Sequence, residues 1–203
     1  MFHVKHQLEQ TKDFLSPHSP TQCDFVKLEA YLDLIIKWSS KVDLVSPGSK
    51  ELLIERHIQD SYAAFLVIEN ELGSSYRSCL DVGSGAGLPG IVFAILKPEA
   101  KFFLCEPREK RQIFLRQALE SLSLANVELL HSRLEDVTGS YDLVCSRALG
   151  MQEQFLSLSR ELLSKNGSIC RLLGPSWQGE ADKVVDYDLY EAGPSRKLAF
   201  NRA

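Results

Sequence analysis

Four glycines, Gly83, Gly85, Gly87 and Gly90, fall within eight residues of the stretch LDVGSGAGLPG. Glycines at this density let a cofactor approach the backbone, because no Cβ stands in the way. Two registers compete for the loop. Gly83-Ser84-Gly85-Ala86-Gly87 reads as the loop of an S-adenosylmethionine (SAM) site, and Leu88 follows it directly. Gly85 to Gly90 fits the dinucleotide pattern G-x-G-x-x-G. Asp81, two places before the first glycine, weighs on the choice. In the dinucleotide register the loop wraps a pyrophosphate at a helix N-terminus, and a carboxylate beside that anion is repelled. A SAM site has no phosphate there. It holds an amino-acid tail and a sulfonium, both with positive charge, so Asp81 suits an ammonium or an ordered water beside it. Glu106, nineteen residues after Gly87, can accept both hydroxyls of a ribose. NAD and SAM both carry that ribose, so Glu106 places a nucleoside without choosing between them. The segment SRLED, Ser132 to Asp136, can then meet an adenine amino group through an acidic or backbone contact. Three such elements in this order favour SAM.

Three groups of residues could hold an anionic substrate. Arg108, Lys110 and Arg111 cluster where the second strand passes into its helix. Cations at a helix N-terminus oppose the macrodipole, so their placement points to a local anionic partner; the plainer alternative is a solvated charge run. Arg133 and Arg147 stand at strand ends near the cofactor mouth, where an arginine can pair with phosphate or fork onto a guanine edge. An ion pair with Glu135 or Asp136 is the competing use. Arg56 and His57 sit on a predicted helix with Asp60 and Ser61 one turn later, where an intrahelical Arg56–Asp60 pair with a packed His57 is the simpler reading.

These groups need a scaffold, and the pattern of apolar residues supplies one. Residues 1–20 read as weakly ordered, ending in the breaker cluster SPHSPT. Thr21-x-x-Asp24 resembles a capping box, and Phe25, Leu28, Leu32 and Ile35 form a helical stripe that stops before Ser46. A second helix begins near Lys50, with Ile54, Ile58, Tyr62 and Phe65 on one side. Residues 21–73 therefore read as a helical cap. From residue 74 the pattern alternates: strand SCLDVG, helix GIVFAILK, strand KFFLCEP, helix KRQIFLRQALESLSL, strands VELLHSR and YDLVCSRAL, helix MQEQFLSLSRELLSK, strand GSICRLLG. One more helix and two short strands, DYDLYEA and RKLAFNR, are expected after residue 176. Alternation of this kind implies an α/β fold with a mostly parallel twisted sheet covered by helices on both faces.

The whole chain sets limits. Its 203 residues suit one main domain with a small appendage. The formal net charge of −4 argues against a nonspecific nucleic-acid coat, and the acidic excess lies before residue 76. No apolar run approaches the roughly 20 residues a membrane span needs. The start is too polar for a secretory signal, so a cytoplasmic, monomeric protein is expected. The five cysteines form no C-x-x-C pair and four lie in or beside strand-like runs, as expected of buried reduced thiols. His3 and His6 lack a second ligand pair, so no metal site is expected.

LDVGSGAGLPGI, KRQIFLRQ, HSRLED and the strand end SRA, in this order, resemble the ribosomal RNA small subunit methyltransferase G family, also known as glucose-inhibited division protein B. Upstream, KWSSKVDLVSP is similar to that family's W-N-x-x-x-N-L-T, and ERHIQDS to its R-H-I-L-D-S. The resemblance runs from about Leu28 to Gly174. It implies a Rossmann-like SAM-dependent methyltransferase fold with an N-terminal helical extension. It also implies methyl transfer to N7 of a guanine in small-subunit (16S) ribosomal RNA, with that RNA or the small ribosomal subunit as partner. By position the family's SAM contacts fall on Gly83, Leu88, Leu134, Glu135 and Arg147; Asp81, Gly85, Gly87 and Glu106 come from the residues themselves. Arg147 and its neighbour Ser146 are candidates for positioning the reactants, and no catalytic base is expected. The chain departs from the family at Asp43-Leu44-Val45, where an amide and a hydroxyl are replaced, at Gln59, and at Leu173-Gly174, where the family carries Lys-Gly. These departures touch RNA docking more than the SAM site. A different RNA or small-molecule acceptor, or SAM binding without transfer, are the alternatives; an NAD-dependent oxidoreductase comes last.

Overall fold

A computed structural model describes residues 25–44, 54–73, 75–147, 152–188 and 195–202. The expected weak order of residues 1–20, the capping box at Thr21 and Asp24 and the helix start near Lys50 lie outside the described residues. Helix α1 (Phe25–Trp38) buries Leu28, Leu32 and Ile35 as its stripe requires, and adds Tyr31 to the same face. A π-helical turn, Ile54–Gln59, runs into α2 (Asp60–Leu72), which buries Tyr62, Phe65 and Ile68. This helix ends at Gly73, whose φ of +68° is a conformation that side-chain-bearing residues rarely adopt.

Strands β1 (Ser78–Val82), β2 (Lys101–Cys105), β3 (Val127–Leu130), β4 (Tyr141–Arg147) and β5 (Leu163–Leu173) pair in parallel. The last two, β6 (Lys183–Tyr187) and β7 (Arg196–Arg202), add antiparallel pairs. The order across the sheet is β3-β2-β1-β4-β5-β7-β6. Helices α3 (Gly90–Leu96), α4 (Glu109–Leu122) and α5 (Gln152–Glu161) make the crossovers. Parallel neighbours need such crossovers, and strands buried on both faces read as apolar runs, as SCLDV and LVCSR do.

Helices α1 to α4 share one core with Cys79, Phe102, Leu104 and Cys170 on one face of the sheet. The other face is covered by α5 through Phe155 and by Leu162, which follows it, packed with Leu80, Val82 and Ile169. The helical extension is therefore part of the main core, with Tyr31, Ile35 and Tyr62 in the same cluster as Phe93 and Phe114. Cys79, Cys105, Cys145 and Cys170 are buried free thiols; Cys23 lies outside the described residues. No described helix is long and apolar enough to cross a membrane.

Four expectations need correction. The strand expected over DYDLYEA lies earlier, at Lys183–Tyr187, and residues 189–192 lie outside the described residues. The strand VELLHSR stops at Leu130, and a short 3₁₀ turn, Leu134–Asp136, follows. The helix over MQEQFLSLSRELLSK ends at Glu161, because Leu163 already pairs with Tyr141 of β4. No helix forms between β5 and β6. Trp177 there stacks on Arg171, 5.2 Å from ring to guanidinium, and a Cβ on Gly179 would stand 2.6 Å from the Trp177 ring. That close return of the backbone, after Pro175, replaces the expected helix.

Candidate functional site

The strand order turns at β1, which has β2 on one side and β4 on the other. Ligands of open α/β sheets bind beyond the carboxyl ends of the strands at such a point. Two adjoining cavities open there. One, of about 470 Å³, has apolar walls from Val82, Leu134, Phe155 and Leu158, with Arg133 and Glu135 also lining it. The other, of about 420 Å³, is bounded by Gly83, Ser84, Gly85, Ala86, Leu88, Glu106, Arg111 and Arg147. They share Gly83, Pro107 and Arg108. The result is an elongated cleft bent around Gly83, apolar at one end and charged at the other.

Most amides of the loop between β1 and α3 are engaged within the protein. Gly83 and Ser84 donate to the Cys105 carbonyl at 2.8 and 3.1 Å, and Gly87 and Leu88 to the Ser84 carbonyl at 2.7 and 3.2 Å. Gly85 donates to Glu106 Oε2 at 2.9 Å, Gly90 to Asp81 Oδ2 at 3.1 Å, and Ile91 to the Gly87 carbonyl at 2.7 Å. Proline at 89 has no N–H. A pyrophosphate needs such donors, so a loop with most of its amides engaged suits the dinucleotide register poorly. Positive φ at Gly83, Gly85 and Gly87 makes the bend possible. Gly87 does not face the cleft: a Cβ there would meet Ile91 Cδ1 at 2.4 Å, so this glycine serves the packing of α3.

Asp81 also departs from expectation. It is buried beneath the loop and lines neither cavity, because its carboxyl turns to the Gly90 amide. Burial pushes this carboxyl up to about 7, against the Gly90 hydrogen bond, which pulls it down. Glu106 does reach the cleft wall. Its Oε1 accepts from the Arg108 amide at 2.9 Å, and Arg111 Nη1 lies 3.5 Å from Oε2. Each carboxylate oxygen can accept more than one donor, so the diol of a ribose still finds acceptors there. Leu134 and Glu135 line the apolar end, where the Glu135 carboxylate accepts from Gln154 at 3.2 Å.

The cations divide. Arg108 and Lys110 are exposed, and Arg108 lines both cavities. Arg133 is exposed beside the apolar cavity. Arg111 turns inward instead, donating to the Asp43 carbonyl at 3.1 Å and tying the segment after α1 to the cleft. Of the cap residues, Arg56 falls on the π-helical turn. Ser61 is buried and donates to the His57 carbonyl at 2.6 Å, so it presents nothing to a substrate. Asp60 is buried too, 3.7 Å from Arg147 Nη1, while Arg147 Nη2 lies 2.7 Å from His57 Nδ1. The Arg56 side chain, expected to pair with Asp60, lies outside the described residues, and Asp60 faces Arg147 across the fold. Ser146 is buried within β4. Leu173 pairs with Lys197 of β7, whose ammonium is held by Asp186 at 2.9 Å.

Two tyrosines at the site carried no signal in the sequence beyond their place in an element. Tyr31 of α1 is fully buried and donates to the Ala86 carbonyl of the loop at 2.5 Å. Tyr187 of β6 donates to Asp60 Oδ1 at 2.6 Å. Spacing on α1 marks Tyr31 as core, and only the tertiary fold brings its hydroxyl to the glycines.

Solved methyltransferases share the architecture at low identity. Magnesium protoporphyrin IX methyltransferase from Synechocystis PCC 6803, solved with bound SAH, superposes with a TM-score of 0.56 at 15% identity, covering 85% of this chain and 99% of that one. A SAM-dependent methyltransferase from Aquifex aeolicus gives 0.54 at 15% identity, covering 82% and 96%. The nearer likenesses are in sequence. Ribosomal RNA small subunit methyltransferase G of Desulfotalea psychrophila is 36% identical over 196 residues, 87% of this chain and 88% of that protein. Its counterpart in Leptothrix cholodnii is 33% identical over 174 residues, 85% and 78%. The family model for rRNA small subunit methyltransferase G matches residues 24–187, the span that holds the cap, the glycine loop and Arg147, and so the chain belongs to the GidB family, rRNA small subunit methyltransferase G.

Proposed function

We propose that the protein transfers a methyl group from SAM to N7 of a guanine in small-subunit ribosomal RNA, acting on the RNA or the assembled subunit as a cytoplasmic monomer. The observation that carries the cofactor half is the glycine loop. Most of its amides are engaged within the protein and the Glu106 carboxylate stands against it, which disfavours a pyrophosphate and suits a nucleoside with a cationic tail. Glu106 would accept the ribose hydroxyls, Leu134 and Phe155 would flank the adenine, and Glu135 would stand beside its amino group. Gly83, Gly85 and Leu88 would line the methionine portion, with Arg147 beside its carboxylate.

When bound, SAM supplies an electrophilic methyl on its sulfonium sulfur. Guanine N7 offers a lone pair and carries no proton, so the protein needs no general base. Its residues have to orient and exclude water, and alignment carries much of the rate. Arg108, Lys110 and Arg133, exposed around the cleft mouth, are the groups that would meet phosphates. The family membership supports the acceptor as small-subunit RNA.

The test is methyl transfer from labelled SAM to small ribosomal subunits that lack N7-methylguanine, followed by nucleoside analysis. Labelled N7-methylguanosine is expected. Cofactor binding without labelled RNA would refute the acceptor, and absence of SAM binding would refute the site.

A further inference from the structure

Strand β6 lies at the sheet edge, four strands from the nearest wall of the glycine loop. Its last residue is nevertheless connected to the cleft. Tyr187 is buried and donates to Asp60 Oδ1 at 2.6 Å. The second carboxylate oxygen of Asp60 lies 3.7 Å from Arg147 Nη1, and Arg147 Nη2 lies 2.7 Å from His57 Nδ1. Arg147 in turn lines the charged cavity with Gly83, Leu88 and Glu106.

The donors and acceptors run in one direction. A guanidinium has only N–H donors, so this contact is a hydrogen bond in the His57 tautomer whose Nδ1 accepts and whose proton sits on Nε2. Tyr187 stays protonated, because burial and the Asp60 charge both raise its hydroxyl well above the ordinary range. It therefore donates to Asp60, which accepts from Tyr187 while its other oxygen faces Arg147. A long arginine side chain has many rotamers to lose. Here two acceptors on one helix hold the planar group from two sides, and the edge strand holds one of those acceptors.

We infer that Asp60, Tyr187 and His57 are positioning residues for Arg147, setting its guanidinium in the cleft instead of contacting RNA. The inference rests on the proposed reading that this cavity takes the amino-acid portion of SAM. Among the described residues, the other titratable or charged groups facing the cluster are Tyr31 of α1 and Asp81 of β1, which both feel the Arg147 charge, and Cys170 of β5 and Arg196 of β7, which act on Tyr187.

The test is a double-mutant cycle with Tyr187→Phe and Arg147→Ala, read by calorimetric titration of S-adenosylhomocysteine and by thermal melting. Tyr187→Phe is expected to weaken binding about fivefold, with an almost unchanged melting temperature. In the Arg147→Ala background it is expected to cause no further loss. Equal losses in both backgrounds would overturn the inference, since a merely structural role would act without Arg147. Normal binding by Arg147→Ala would overturn it while leaving the proposed function standing. Failure of the wild type to bind would overturn both.

If Tyr187→Phe does not fold, the pH profile decides. A second proton on His57 would set an N–H against the guanidinium, so wild-type binding should weaken on the acid side. His57→Asn keeps an acceptor near the Nδ1 position at every pH and should flatten that limb. Identical acid limbs in the two proteins would overturn the inference.

Discussion

Asp81→Asn should change how stability depends on pH. The carboxyl is buried under the glycine loop and is pushed up to about 7 from an ordinary 3.8, chiefly by burial. Between these two values the folded chain holds a proton that the unfolded chain has released. Stability must therefore fall as pH rises. The contribution of the neutral carboxyl is complete below about pH 4 and lost as pH passes through about 7. The gap of about three pKa units, at about 1.4 kcal/mol each, gives about 4 kcal/mol. Asparagine keeps an oxygen for the Gly90 amide and cannot ionise. Urea unfolding of both proteins at intervals from pH 5 to 8.5 would isolate the effect, because the rest of the chain's titration cancels in the difference. The variant should gain on the wild type by a few kcal/mol across that range, with most of the gain in place by pH 7.5. Parallel stability profiles would refute the reasoning, since they would mean that the folded state ionises Asp81 as readily as the unfolded chain.

Other substitutions test the loop itself. Gly90→Ala would place a Cβ 2.4 Å from Leu104 Cδ2 and 2.7 Å from Asp81 Oδ2, and should destabilise by about 2–3 kcal/mol. Gly85→Ala has room, its nearest neighbour being Arg111 Nη1 at 3.5 Å, but its φ is +61°; a loss of only about 1–2 kcal/mol is expected, and equal destabilisation of the two variants would contradict the geometry. Tyr31→Phe deletes the hydroxyl that donates to Ala86 and should cost about 1 kcal/mol, seen as weaker SAM binding by calorimetry; unchanged affinity would show that the loop holds its shape without α1. Gly83→Asp adds a side chain and a charge where the two cavities meet, and should abolish SAM binding in the same assay.

The alternation of apolar runs was enough to place five parallel strands and the helices between them, because period and length are local properties of the chain. It failed between β5 and β6. Charged residues such as Glu180, Asp182 and Lys183 suggest a solvated helix, while the decisive contact, Trp177 on Arg171, joins a loop to a strand. The site divides the same way. Glycines 83 and 85 and Glu106 stand out by type and spacing, and the structure brings them to one cleft; Leu88 came from the family resemblance alone. Asp81 was legible as important but misplaced: no spacing rule says that its carboxyl turns toward Gly90. Ser61 and Asp60 read as candidate substrate contacts one turn from Arg56, and only the sheet's return through β6 and β7 reveals what Asp60 faces. Tyr187 belongs to an element whose sequence carries no functional pattern.

Attack by guanine N7 needs no base, so placement is what this chain contributes to the rate. That changes what counts as part of the site. The glycine loop is held from below by Asp81, from beside by Glu106 and from above by Tyr31. Two of those holds come from the strands of the α/β sheet, but the third comes from the N-terminal extension. Arg147 is gripped by His57 and Asp60, again from the extension. The helices before β1 share the core of the sheet, and their polar groups point at the cofactor end of the cleft. An appendage that served only to read RNA would present these groups outward. Asp60 and Ser61 are buried, and the candidate substrate cations Arg108, Lys110 and Arg133 are exposed on the connections that leave β2 and β3. The extension therefore helps to hold the glycine loop and Arg147 in place.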